Sequence, residues 1–427
     1  MLGLFLAAAT AAPGAPVVDP DPKHLAVSPA DQAKAKALVE KLASPAYADR
    51  EQAQADLSGM GRRAVPALTD ALARHASPEV RARCQALYPR ARAEDLQVRL
   101  DTFAADTAGK FEHEVPGWPE FKALASGCGP RAARAVFVEI ATAPLGRELV
   151  LGDLPPHDLG IRIAARKQEL YSRRFLVARR PGDPAPHEPP VGDILALMVA
   201  ESRIPSRHVP RSSTATVVYT MPTFVSALAA GGERARVYRA VAGKWVATRD
   251  EALLMTQAMS VATTLDLPEA AGLGARMMTT PGVNAIAKAQ AAMTVAKIGN
   301  PKYLPALEAV FKDESLVRPI AVAGAPAPNA VQLRDIGLAA ALLLTGQEPR
   351  EYGFEESGGR RDARYLYTVW RLPPGDRAAA LEKWQTWRAA NPDFEKDDLG
   401  ADGRRPLTHD SVARMPSEAA EHRGPVL

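Results

Sequence analysis

The chain has 427 residues, 53 Lys and Arg against 49 Asp and Glu, and only 6% aromatic side chains, with alanine abundant throughout. That length exceeds one ordinary core and suits two or three packed units, or a stack that grows by addition. Alternating β-branched runs are confined to short pieces such as residues 216–219, which argues for an all-α protein, and the two cysteines, Cys84 and Cys128, exclude a disulfide framework.

The first twelve residues, MLGLFLAAATAA, are an uncharged apolar run closed by small residues, with Ala9-Thr10-Ala11 as an A-x-A cleavage site. Residues 1–12 read as a signal peptide, although the usual Lys or Arg near the start is missing, and 13–29 as a proline-rich linker. No other segment reaches the roughly 18 unbroken apolar residues of a membrane span. Residues 30–143 divide into helices at 31–43, 49–60 and 65–74. Ser77-Pro78 then starts another, with serine as cap and proline at the first helical position, and the first repeat closes near Tyr88. A looser helix, glycine, helix order follows at 121–141. Residues 144–281 are the least regular, with helices expected at 159–179, 192–201, 223–230 and 250–264 and a proline loop at 181–190. Between 282 and 390 come a helical pair over 284–311, an apolar helix at 329–345 and a last one at 376–390. Residues 391–427 read as a frayed, charged tail.

Within that order, residues 50–72 (REQAQADLSGMGRRAVPALTDAL) recur as 288–311 (KAQAAMTVAKIGNPKYLPALEAVF). Counting back from Gly61 and Gly299, Leu57 matches Val295 and Met60 matches Ile298. Each glycine stands where a helix would end in the left-handed conformation. Counting forward, Pro66 and Pro305 open a second helix, where a missing N–H is harmless. Leu68, Ala71 and Leu72, like Leu307, Val310 and Phe311, then fall at i, i+3, i+4 and make one apolar stripe. A lone hairpin cannot cover both its stripes, so such hairpins stack, and the fold expected is an α-solenoid with an irregular helical middle.

The two copies look like HEAT-type (armadillo-type) repeats. The closing half, with Leu304-Pro305-Ala306-Leu307, Val331-Gln332-Leu333-Arg334-Asp335, Leu344-Thr345-Gly346-Gln347-Glu348-Pro349 and Tyr352-Gly353-Phe354, resembles a group of exported HEAT-like proteins that certain bacteria carry in many paralogues. Where that group commonly has Val-Ala-Leu-Ala, this chain has Ile336-Gly337-Leu338-Ala339, and Gly337 is expected to soften its helix by about 1 kcal/mol. The resemblance covers residues 265–392 and, less specifically, 31–88. The group has no assigned reaction, so the resemblance implies scaffolding and partner binding.

Familiar catalytic spacings are missing: there is no G-x-S-x-G, Walker loop, G-x-G-x-x-G, C-x-x-C or H-E-x-x-H. The eight histidines are scattered, so no metal ligand set and no cofactor is expected, and His113-Glu114 and His187-Glu188 read as loop surface. Asp398, Asp402 and Gly403 have some spacing of a calcium loop, but His409 stands where its glutamate is due. Residues 161–250 hold 15 basic against 7 acidic residues. There Arg162, Arg166 and Arg173 fall on one helical stripe, with Ile161, Ala164, Tyr171 and Phe175 on another face. Arginines can grip phosphates or carboxylates bidentately, yet Glu169 shares the stripe and favours a solvated face. Arg334-Asp335 interrupts an apolar helix and reads as a structural ion pair or cap. Trp370, Trp384 and Trp387 read as the cover of a last hydrophobic layer. These features favour a non-enzymatic scaffold for a protein partner outside the cytoplasm. The alternatives are a nucleic-acid-binding helical repeat using the basic middle and an enzyme with its site there.

Overall fold

A computed structural model describes residues 18–176, 188–212, 214–298, 300–318, 331–356 and 364–396. Among them the chain is mostly helical, 71% helix with almost no strand. In chain order the α-helices are α1 (Pro29–Lys41), α2 (Tyr47–Met60), α3 (Val65–Arg74), α4 (Pro78–Ala105), α5 (Trp118–Leu124), α6 (Pro130–Thr142), α7 (Pro144–Leu149), α8 (Pro156–Tyr171) and α9 (Val191–Ser202). They continue as α10 (Pro222–Ala229), α11 (Gly232–Ala247), α12 (Ala252–Thr264), α13 (Glu269–Thr279), α14 (Ala285–Ile298), α15 (Leu304–Glu308), α16 (Leu333–Leu344) and α17 (Arg377–Ala390). Six of these helices begin on proline, so the high proline content acts as punctuation at a position where no N–H is missed. Two antiparallel strand pairs, Leu316–Arg318 with Val331–Gln332 and Glu355–Glu356 with Trp370–Arg371, are the only sheet among the described residues.

The described residues fall into two compact units, the first within 18–154, 190–199 and 230–240 and the second within 155–176, 188–189, 200–229 and 241–396. In the first, α1, α2, α3 and α4 close around Leu38, Leu42, Leu57, Leu68, Val80 and Cys84. Between α2 and α3 a short 3₁₀ turn, Gly61–Ala64, makes the reversal. Gly61 has φ 53° and ψ −130°, the conformation that opens a type II′ turn rather than the left-handed helical one anticipated. Asparagine tolerates the left-handed helical region, but this one is essentially reserved for glycine. A Cβ here would also run into the Glu94 carboxylate.

The first repeat does not close at Tyr88, because α4 runs 28 residues straight through Pro89. Pro89 lies on the solvent face of the helix, where water can satisfy the carbonyl that proline leaves without an N–H donor. Further along the unit Phe103, Trp118 and Phe137 form an aromatic cluster, with Trp118 and Phe137 centroids 4.9 and 5.5 Å from that of Phe103.

In the second unit α13 packs on α14, and α14 and α15 pack on α16. Pro305, like Pro66, is the second residue of its helix and exposed, while Leu307 and Val310 are buried as Leu68 and Ala71 are. Gly299 lies outside the described residues. Gly337 proves to be a packing residue, since a Cβ there would sit 2.6 Å from Val310 Cγ2 and 3.3 Å from the Leu307 carbonyl oxygen. Close approach of α16 thus stands against the softening expected from helix propensity. Trp370 and Trp384 are buried, and Trp387 lies between Trp384 and Phe394 at 5.0 and 5.5 Å. Packing therefore continues past Asn391: Phe394 is buried and Arg388 holds Glu395 through bonds of 3.0 and 2.8 Å. Residues 1–17 and 397–427, with the expected leader and Asp398, Asp402, Gly403 and His409, lie outside the described residues.

Among the described residues of 144–281 the structure adds α7, α11 and α13, three helices that the pattern did not announce.

Candidate functional site

Helix α8 belongs to the second unit and has two faces of different chemistry. Its buried face is Leu159, Gly160, Ile163 and Lys167. Gly160 lets the His208 backbone reach the helix, where a Cβ would clash with the His208 carbonyl oxygen. Four residues beyond Ile163, the same face delivers Lys167 into the interior.

Lys167 meets Glu201, the penultimate residue of α9, with Nζ donating to Oε1 at 2.8 Å. Trp245 Nε1 donates to the other carboxylate oxygen at 2.6 Å, and Arg249 Nη1 lies 3.9 Å from it. Arg249 is fixed in turn by donating to the Glu201 and Trp245 carbonyls at 3.0 and 3.2 Å. Tyr219 closes the cluster, its ring centroid 4.6 Å from Lys167 Nζ and 4.8 Å from the Trp245 ring. Lys167, Glu201, Tyr219, Trp245 and Arg249 are each at most 2% exposed. Burial pushes the Glu201 carboxyl up, but Lys167, Arg249 and the bonds from Lys167 and Trp245 together hold it below the usual carboxylate range. Burial drives the Tyr219 phenol well above its ordinary value, with the neighbouring Glu201 charge adding to it, and burial lowers Arg249 while Glu201 opposes that. The result is an ionised carboxylate between two cations in a dry interior, whose groups are directed at one another.

The opposite side of α8 faces solvent. Ile161 is 58% exposed and Phe175, in the π-turn Ser172–Leu176 that ends the helix, 47%. Arg162, Ala164 and Ala165 are exposed between them. Of the arginine stripe, Arg166 donates to Glu169 Oε2 at 2.7 Å and Arg173 to Oε1 of the same carboxylate. The structure thus brings Arg166 and Arg173 together through Glu169, whose carboxyl is held low first by the Arg166 bond and then by the charges of both arginines. The Tyr171 and Phe175 ring centroids lie 5.0 Å apart with the planes tilted by 37°, and Arg174 lies 5.2 Å over the Phe175 ring while donating to Glu188 at 3.0 Å.

Elsewhere, Arg334 and Asp335 act separately. Asp335 accepts from Gln332 N at 3.1 Å and so caps α16, and it takes two bonds of 2.8 Å from Arg377. Arg334 pairs with Glu314 at 2.6 Å. His113 corrects the expectation of loop surface: its side chain is 2% exposed, Nε2 lies 3.1 Å from Asp106 Oδ2, and Phe103 packs edge-on at 5.4 Å. A buried carboxylate only accepts, so His113 is the donor, and that bond beside an aromatic ring is what draws the loop histidine inward. His187 lies outside the described residues. No group of three or more His, Cys, Asp or Glu among the described residues is placed to hold a metal ion.

Sequence reasoning missed the buried cluster because its members stand 34, 44 and 48 residues from Glu201 or stem from a 3₁₀ segment. One signal was available, since Lys167 falls in register with Leu159 and Ile163 and so on their face.

No protein-family model matches the chain, and no curated protein and no solved structure matches it. No helix among the described residues is long and apolar enough to cross a membrane.

Proposed function

We propose that the protein is a non-enzymatic interaction scaffold of HEAT-like hairpins stacked as an α-solenoid, exported to the periplasm or envelope, with a protein as its partner. The observation that carries this reading is the equivalence of two hairpins far apart in the chain. Each runs helix, 3₁₀ turn, helix, with an exposed proline second in the closing helix and buried apolar residues two and five positions after it. Repetition of that unit produces extended surface rather than an enclosed pocket. An open cleft of ≈ 480 Å³ in the first unit, lined by Lys23, Gln32, Pro66, Arg99 and Glu112 among others, accords with this.

Nucleic-acid binding is the weaker reading. Of the 15 basic residues between 161 and 250, at least eight make ion pairs with carboxylates among the described residues, and paired charges release fewer counterions from a phosphate backbone. An enzyme with its site in the middle region is a third reading; against it stands the engagement of both Glu201 carboxylate oxygens by Lys167 and Trp245, while Tyr219 Oη and Arg249 Nη1 make no hydrogen bond in the cluster.

The test is affinity capture with the full chain from the envelope fraction of its source, combined with N-terminal sequencing of the natural protein. A specific protein partner and a mature start near Ala12 are expected. Failure to retain any specific protein sinks the scaffold, and an intact Met1 in a cytosolic fraction sinks export.

A further inference from the structure

We propose that His157 and His208 form a binding site for one first-row divalent ion that favours imidazole, such as Zn²⁺, with water completing its coordination. Both belong to the second unit. His157 is the second residue of α8, and His208 ends the 3₁₀ turn Ser206–His208 that packs on that helix. Far apart in the chain, their ring centroids lie 5.7 Å from each other with the planes inclined at 71°. An imidazole nitrogen about 2.0–2.1 Å from zinc puts the ring centre roughly 3.2 Å from the ion, so two such ligands at the tetrahedral angle have centres about 5.2 Å apart. The pair stands within about half an ångström of that spacing, a gap that small side-chain rotations close.

The backbone that presents the two rings is fixed. Buried Leu159 and Ile163 anchor α8, and buried Ile204 and Val209 anchor the turn on either side. His208 N donates to the Pro205 carbonyl at 2.9 Å and Val209 N to that of Ser206 at 3.0 Å. Gly160 allows the close approach, for a Cβ there would stand 2.2 Å from the His208 carbonyl oxygen. The side chains themselves reach water, His157 exposed and His208 half-buried. Fixed backbone reduces the ordering cost of binding, and the open side leaves room for water ligands. Arg207 Nε donates to His208 Nε2 at 3.2 Å. A guanidinium only donates, so Nε2 is the acceptor and carries the lone pair that a metal needs. Arg207 is exposed and has to turn aside, which makes it a competitor for the ion rather than a part of the site. No third His, Cys, Asp or Glu among the described residues joins the pair, so the site is an open one and weaker than a four-ligand structural cage. An ion held by both rings ties the start of α8 to the turn and thereby stabilises the fold.

The experiment titrates Zn²⁺ into the full chain by calorimetry, with Mg²⁺ as the control ion and circular dichroism to show each variant folded. Comparison of parent with variants isolates this pair from the chain's other histidines. The parent is expected to bind Zn²⁺ and to ignore Mg²⁺, which takes oxygen ligands. His157→Ala and His208→Ala should each weaken the binding by about tenfold or more, because the second ligand of a chelate acts at high effective concentration. The double variant should lose little beyond either single one, since one imidazole alone no longer chelates. Arg207→Ala should bind more tightly than the parent. Zn²⁺ should also raise the melting midpoint of the parent and leave that of His157→Ala where it was. A parent that binds no Zn²⁺, a single variant that binds like the parent, or losses that simply add in the double variant each overturn the site. Unchanged or weaker binding by Arg207→Ala refutes the competition.

Discussion

Each unit buries an ionised carboxylate, and the two are satisfied in opposite ways. Asp106 accepts from the backbone N–H groups of Lys110 and Phe111 at 2.9 and 3.0 Å and from His113, with Arg134 3.4 Å away. Burial raises its carboxyl, but those N–H groups, His113 and Arg134 together bring it below the ordinary value. Glu201 receives nothing from the backbone; its partners are the side chains of Lys167, Trp245 and Arg249. Asp106 therefore organises one turn, whereas Glu201 ties segments of chain whose own buried charges depend on it in return. Removing a carboxylate that serves a turn loses hydrogen bonds. Removing one that serves two buried cations leaves those cations stranded.

The sharpest break of this contrast is Glu201→Gln or Lys167→Met. Each should reduce unfolding free energy by about 3–5 kcal/mol, read from urea titration, because one partner of a buried pair is left uncompensated. Converting Lys167, Glu201 and Arg249 together to methionine should recover most of that loss; a triple variant as weak as the single ones would show that the cluster does more than balance charge. Asp106→Asn comes next, at about 1.5–3 kcal/mol for hydrogen bonds to a charged group, with loss of amide protection confined to residues 106–113.

Acid probes both sites at once. Each carboxyl is lower in the folded chain than unfolded, so its contribution is complete above the unfolded value of about 4 and disappears as pH falls through the folded one. The acid limb of stability against pH should therefore flatten in Glu201→Gln and flatten further in the double variant with Asp106→Asn; limbs that superimpose on the parent's would refute the pairing. The smallest effect belongs to the exposed counterpart. Arg162, Arg166 and Arg173 changed together to glutamine should shift stability by less than about 1 kcal/mol, since the Glu169 pairs stand in water, and a larger fall in the melting midpoint would show them to be part of the core.

The parts of this molecule that the sequence announces are those governed by neighbours in the chain. The Ser77-Pro78 start of α4, the glycine between α2 and α3 and the prolines at the second position of α3 and α15 each follow from caps or steric limits acting over a few residues. Helix α11 was hidden because its residues, GERARVYRAVAGKWVA, carry charge through much of their length, so no clean stripe marks it. Tail residues 391–396 read as frayed because Asp393 and Glu395 mask the one anchoring ring of Phe394. The arginine stripe of α8 was visible, but the polar group that the helix buries is Lys167, and only tertiary partners decide which lysine on an amphipathic helix goes inward. Burial of charge is a property of contacts made across tens of residues, for which local periodicity has no mark.

The two thiols bear on where such a chain can survive. Cys84 is fully buried and Cys128 half-buried, both free thiols, and burial raises the pKa of each above the ordinary thiol value. Disulfide exchange and oxidation proceed through the thiolate, and here little thiolate forms at neutral pH. For Cys84 an attacking oxidant would in addition have to wait for the packing of α2, α3 and α4 to open. Entry into an oxidising compartment would thus find Cys84 protected by the fold and Cys128 slowed only by its raised pKa, and the greater hazard would lie in the interval before folding, when both sulfurs are accessible.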